Sequence, residues 1–118
     1  MAIVAVDPAL RGPGSPEPPA GVGPFTINLD KAVSVIGRTS SSRAIYPEIP
    51  LNFDEAVSHR HALLQRGGDG SLALRDIGAA NGTRLNGKDV EPMVDYPLRD
   101  GDEIALGHWT KITVQAVL

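Results

Sequence analysis

From Phe25 onward the apolar positions come in short runs, each ended by a turn signal. Ala32-Val33-Ser34-Val35-Ile36 is rich in β-branched side chains and stops at Gly37. Ala62-Leu63-Leu64-Gln65 and Ser71-Leu72-Ala73-Leu74 are separated by Arg66-Gly67-Gly68-Asp69-Gly70, a loop of residues that tolerate positive φ. Thr83-Arg84-Leu85 and Lys88-Asp89-Val90 flank Asn86-Gly87, the dipeptide that best marks a two-residue hairpin. Asp100-Gly101-Asp102 leads into Glu103-Ile104-Ala105-Leu106, which ends at Gly107. The last segment alternates, with Ile112, Val114, Ala116 and Leu118 on one face and Thr113 and Gln115 on the other. No stretch long enough for a helix carries a 3.6-residue apolar stripe free of Gly and Pro. Closely spaced strands with turns between them predict an all-β antiparallel sandwich or barrel.

The N-terminal part reads differently. Ten of the glycines and prolines fall between Pro8 and Pro24, a run that can be neither a helix nor an interior strand, because proline lacks the backbone donor. The expected organisation is an N-terminal strand with a Pro/Gly-rich loop or linker over 1–24 and one folded domain over 25–118. Two placements are open for Ile3–Val6: pairing with the sandwich edge across the proline-rich loop, or belonging to a preceding linker. At 118 residues the chain holds one core and not two. The absence of cysteine excludes disulfides, thiolate metal sites and a cysteine nucleophile. A net charge of −3 gives no global basic field for nucleic acid, and no apolar run approaches a membrane span. The expectation is a soluble, cytoplasmic, monomeric domain that needs no cofactor and no metal.

Catalytic chemistry finds little support. Ser58, His61 and Asp54 contain the residue types of a nucleophile, base and orienter, but Ser58 has no glycine elbow to expose it. His59 and His61 stand two residues apart, yet His108 is remote and no carboxylate sits at a ligand-like offset. Gly82-Thr83-Arg84-Leu85-Asn86-Gly87-Lys88-Asp89 imitates a phosphate loop. Asp89 replaces the hydroxyl that would hold magnesium, and Val90-Glu91-Pro92 cannot open a helix. The acids Asp89, Glu91, Asp95, Asp100, Asp102 and Glu103 read as solvated turn residues.

Three polar loops remain. Gly37-Arg38-Thr39-Ser40-Ser41-Ser42-Arg43 offers two guanidinium groups and four hydroxyls. Ser58-His59-Arg60-His61 adds a hydroxyl, an imidazole and another guanidinium, and Asp76 to Thr83 adds the Asn81 amide. Converging at one end of a sandwich, they would make a small anion site, since guanidinium binds phosphate through paired charge-assisted hydrogen bonds. The same residues are also compatible with ordinary polar turns.

This ordered set resembles the forkhead-associated (FHA) family of phosphothreonine-peptide readers. The resemblance rests on Gly37-Arg38 after a strand, on Ser58-x-x-His61, and on Asn81-Gly82-Thr83 followed by Asn86-Gly87. It continues through Leu98, Gly101-Asp102, Ile104 and Leu106-Gly107 and covers Thr26 to Leu118. It implies a β-sandwich of about eleven strands with the ligand held by loops at one end. Arg38 and Ser58 would donate to the phosphate and Asn81 would grip the peptide backbone, with Thr39 and Arg60 as secondary contacts. His61 would hold the Ser58 loop in shape, and Gly37, Gly82, Asn86 and Gly87 would set backbone geometry. Two positions depart from the family's habit. His59 stands where Arg, Lys or Asn is common, and neutral imidazole is a weaker phosphate partner. Ala80 replaces a Ser or Thr and offers only its backbone N–H. The partner implied is a threonine-phosphorylated protein or peptide, a Ser/Thr kinase or its substrate. The alternative is a phosphate-independent interaction or scaffold domain of the same architecture.

Overall fold

The computed structural model describes residues 2–6, 10 and 24–115. The Pro/Gly-rich stretch, Ala116 and Leu118 lie outside the described residues. Eleven strands form two sheets: β1 (Ala2–Val6), β2 (Phe25–Ile27), β3 (Val33–Gly37), β4 (Ile49–Pro50), β5 (Ala62–Arg66), β6 (Leu72–Asp76), β7 (Thr83–Leu85), β8 (Lys88–Asp89), β9 (Tyr96–Leu98), β10 (Glu103–Leu106) and β11 (Thr110–Val114). One sheet runs β2-β1-β11-β10-β7-β8 and the other β4-β3-β5-β6-β9. All pairs are antiparallel except β3 with β4, where Ile36 faces Ile49 and Gly37 faces Pro50. Pro50 sits on an edge strand, the place in a sheet where a missing donor does least harm. Of the two placements open for the first strand, the sheet takes it, and inside the edge: β1 lies between β2 and β11, with Val4 opposite Ile112. Among the described residues no helix is long and apolar enough to cross a membrane.

The alternation along each strand supplies the core. Val4, Ile104 and Ile112 of one sheet meet Ile36, Ile49, Leu64 and Leu74 of the other, joined by Leu51 and Val57 from the long β4–β5 loop. Fully burying such side chains stabilises by about 1.5–3 kcal/mol each relative to exposure. The edge beside β4 is closed by a side chain: Glu48 Oε1 accepts the Val35 N–H at 2.7 Å, past the point where β4 begins. That bond, opposed by burial and helped by Lys31, holds the Glu48 carboxyl below its ordinary value.

The strands leave four connections at one end: β3–β4, β4–β5, β6–β7 and β10–β11. Asp54 fastens two of them. Its fully buried carboxylate accepts from the backbone N–H of Ala56, His108 and Trp109 and from the Thr110 hydroxyl at 2.7 Å. Asp54, which the sequence showed only as the weak orienter of an unsupported triad, is a tether between the β4–β5 loop and the β10–β11 turn. Asp54→Ala would strand several buried donors, and we expect a loss on the order of 3 kcal/mol, measured by chemical denaturation.

Candidate functional site

The loops at this end are drawn together by hydrogen bonds between them. Gly37 closes β3, its carbonyl accepting from Leu51 N–H at 2.7 Å, and packs directly on the β4–β5 loop. A Cβ at this position would overlap the His59 carbonyl oxygen and come within 3.0 Å of that of Ser58. Only glycine permits this approach, which places the next residue, Arg38, over the loop. Arg38 Nε donates to Val57 O at 2.5 Å, so one edge of the guanidinium is fixed and its terminal nitrogens remain for a ligand. Thr39 is held by Asn52: its N–H donates to Asn52 Oδ1 at 2.8 Å, and Asn52 Nδ2 donates to Thr39 Oγ1 at 3.3 Å.

His61 organises the second junction. The ring is fully buried. Its Nδ1 accepts the Ser58 N–H at 3.0 Å, so in the neutral ring the proton sits on Nε2, which donates to Gly82 O at 2.9 Å. Burial pushes the imidazole below its ordinary value, against the Gly82 carbonyl and the Asp76 and Asp54 carboxylates, which act the other way. Both nitrogens are used, so His61 is neither a base for Ser58 nor a metal ligand beside His59.

Ser58 Oγ accepts from Ala80 N–H at 3.0 Å and Asn81 Nδ2 donates to Ala56 O at 2.9 Å, binding the β6–β7 loop to the β4–β5 loop. The Ser58 hydroxyl keeps its proton for an incoming acceptor, and Asn81 keeps its Oδ1 and a second proton. Ala80's N–H, the only polar group it was expected to offer, is committed to Ser58 Oγ. Asp76 shapes this loop from below, its carboxylate accepting from Gly78 and Ala79 N–H and from the Thr83 hydroxyl at 2.6 Å. The site end thus unites Arg38, Thr39, Ser58, His59, Ala80 and Asn81, with Arg60 exposed on the middle loop.

His59 is held below its ordinary value, by partial burial first and then by Arg38 and Arg43. Arg43 thus acts on the same ring as Arg38. Its sequence signal was a second arginine in the serine-rich loop, and the strand pattern did not show that the loop turns back. Asn86 and Gly87 lie at the opposite end, with φ of 51° and 84° as the hairpin requires. Asn86 pins that turn to the β9–β10 turn, its N–H donating to Glu103 O and its Oδ1 accepting from Glu103 N–H at 2.9 Å.

A profile of the FHA domain matches residues 34–107, which contain all of this arrangement. The chain belongs to the FHA family. Its FHA sequence is 31% identical over 102 residues to the oxoglutarate dehydrogenase inhibitor of Corynebacterium diphtheriae, a match spanning 83% of this chain and 68% of that protein. FhaA of Mycobacterium tuberculosis, an FHA domain-containing protein, is 36% identical over 84 residues, which cover 70% of this chain and 14% of the longer protein. A solved structure from work on phosphothreonine-dependent FHA domain interactions superposes with a TM-score of 0.66 at 25% identity, covering 99% of this chain and 97% of its own. FHA domains are interaction modules.

Because His61 stays neutral when folded, the unfolded chain takes up a proton first as pH falls below about 6.5, and stability drops from there towards the lower folded value. His61→Gln removes this component. We expect the difference in unfolding free energy between the two proteins to shrink on acidification, by up to about 1.4 kcal/mol per pH unit, in denaturant titrations between pH 7.5 and 5. His59 is present in both proteins and cancels.

Proposed function

We propose that this FHA domain binds threonine-phosphorylated segments of partner proteins, a Ser/Thr kinase or its substrates, and that it acts by contact alone, without catalysis. The observation that carries the reading is the convergence of a half-fixed guanidinium, a hydroxyl with its proton to spare and an anchored amide on one loop end. A phosphate dianion docks on Arg38 and Ser58, with His59 beside it. Asn81 meets the main chain of the extended peptide, and Thr39 and Arg60 flank it. Gly37, His61 and Gly82 hold these groups in place, while Asn86 and Gly87 support the fold from the far end. The phosphothreonine-dependent interactions named for the structural neighbour support this assignment. A relative named as an enzyme inhibitor fits a module that works by contact. The working unit comprises β1 with residues 25–118, a cytoplasmic monomer that needs no metal or cofactor.

A second reading has its own observation. Met93 and Val94 are 60% and 43% exposed, and they lie in the chain between Val90 and Tyr96, which line a groove of about 250 Å³ with Leu85, Asn86, Lys88 and Asp89. The exposed apolar side chains of Met93 and Val94 suit a phosphate-independent protein contact. Calorimetric titration of a degenerate phosphothreonine peptide pool separates the two. We expect binding that needs the phosphate and falls at least tenfold in Arg38→Ala; equal binding of the unphosphorylated pool, or an unaffected Arg38→Ala, would favour the second reading.

A further inference from the structure

Two buried carboxylates at the loop end make the same pattern of bonds. Asp54 and Asp76 are both buried, and each uses one oxygen to order its own turn. Asp54 Oδ1 accepts from Ala56 N–H at 3.2 Å, and Asp76 Oδ1 accepts from Gly78 and Ala79 N–H at 2.8 and 3.1 Å. Each offers its other oxygen to a threonine hydroxyl of the opposite sheet, Thr110 at 2.7 Å for Asp54 and Thr83 at 2.6 Å for Asp76. The two threonines lie on one row of the six-stranded sheet: Leu106 of β10 stands opposite Thr83 of β7 on one side and Thr110 of β11 on the other. All three are buried. Opposed residues of an antiparallel pair share a face, so both hydroxyls stand on the inner face, two strand spacings or about 10 Å apart. Gly107, at φ 66°, leaves the carboxylate its place, since a Cβ there would overlap Asp54.

The two turns carry different halves of the site. The Asp54 turn fixes Arg38 through Val57 O and leads into Ser58, while the Asp76 turn leads into Ala80 and Asn81. Where the halves meet, Ala80 N–H on Ser58 Oγ and Asn81 Nδ2 on Ala56 O are exposed bonds, which compete with water. His61 joins the ends of the turns, at Ser58 and Gly82; the threonines fix their beginnings, at Asp54 and Asp76. A loop held at one point can still swing about it, and two points set its angle.

We propose that Thr110 and Thr83 are positioning residues for the phosphothreonine peptide: their separation on the sheet sets the span between the phosphate donors on one turn and Asn81 on the other. This rests on the phosphate-reading assignment above. Neither threonine reaches the ligand. Without the Thr110 hydroxyl the Asp54 turn shifts with Arg38 and Ser58 aboard, so the phosphate keeps its donors while Asn81 loses its register with the peptide main chain.

The test is a double-mutant cycle on the whole chain, with Thr110→Val removing the hydroxyl at constant shape and Thr110→Ser keeping it. We expect Thr110→Val to weaken binding of the phosphothreonine peptide pool by about fivefold or more, and by less than about twofold in an Asn81→Ala background, because the two sites are coupled. Thr110→Ser restores the affinity. An unaffected Thr110→Val, or the same loss with and without Asn81, overturns the proposal, since a general loosening of the fold does not depend on Asn81. Should Thr110→Val not fold, Thr83→Val is read in the same way. The Asn81 side-chain amide is followed by NMR without ligand, and its resonances move in Thr110→Val but not in Thr110→Ser. If the unmodified chain binds no phosphopeptide, the functional assignment fails. The Asn81 amide then decides alone, and resonances unmoved in Thr110→Val overturn the positioning role.

Discussion

The site depends on a buried imidazole accepting one backbone N–H and donating to one backbone carbonyl. Three loops leave three different strand pairs, and nothing in the sheets themselves obliges them to meet. His61 links the start of the Ser58 turn to Gly82 with two hydrogen bonds in the interior, where an unmade bond costs more than at the surface. Once Ser58 is placed, its hydroxyl fixes Ala80, and Asn81 reaches Ala56. Gly37 completes the arrangement from the other side by letting β3 press on the His59 carbonyl. Arg38 then takes its position from Val57. In the proposed reader, the groups assigned to the ligand are held by groups assigned none of its contacts, which is how a loop site gains rigidity.

Charge is divided along the same axis. The chain as a whole carries −3, and Arg38, Arg43 and Arg60 stand on the loops of the site end, where the Asp54 and Asp76 carboxylates are buried against hydrogen-bond donors. The late acids serve turns and strand edges elsewhere. Asp102 accepts from Arg99 N–H and Asn86, and Asp95 pairs with Arg75 through contacts of 2.7 and 3.1 Å. For the proposed anionic ligand, guanidinium groups on the loops would favour docking there over the far end, where Asp69, Asp89, Asp100 and Asp102 lie.

Much of the fold was legible because turn chemistry is local. Asn86-Gly87 and Gly67 to Gly70 announce hairpins whatever surrounds them, and the alternation of β11 shows its buried face. Strands β4 and β9 were not legible. Each is two or three residues long and contains a proline, Pro50 and Pro97, so neither alternation nor propensity marks it; tertiary pairing with β3 and β6 creates it. Arg38, Ser58, His61 and Asn81 were singled out because their spacing resembles a family's, whereas physics alone left the polar loops open between a site and ordinary turns. The tethering role of Asp54 was not legible for the opposite reason. Its residue type suggests catalysis, and its partners lie 54 to 56 residues away at His108 to Thr110. Arg43 was counted among the polar loops but given no role of its own, because its effect on His59 depends on how a tight turn folds back.

The most direct measurement is the amide NMR spectrum of the intact chain titrated with a phosphothreonine peptide and with its unphosphorylated twin. The account predicts phosphate-dependent shifts at 37–43, 58–61 and 79–82, with the 67–70 and 86–87 turns at the far end unmoved. Shifts centred on Met93, Val94 and Tyr96, the same with and without the phosphate, would contradict it.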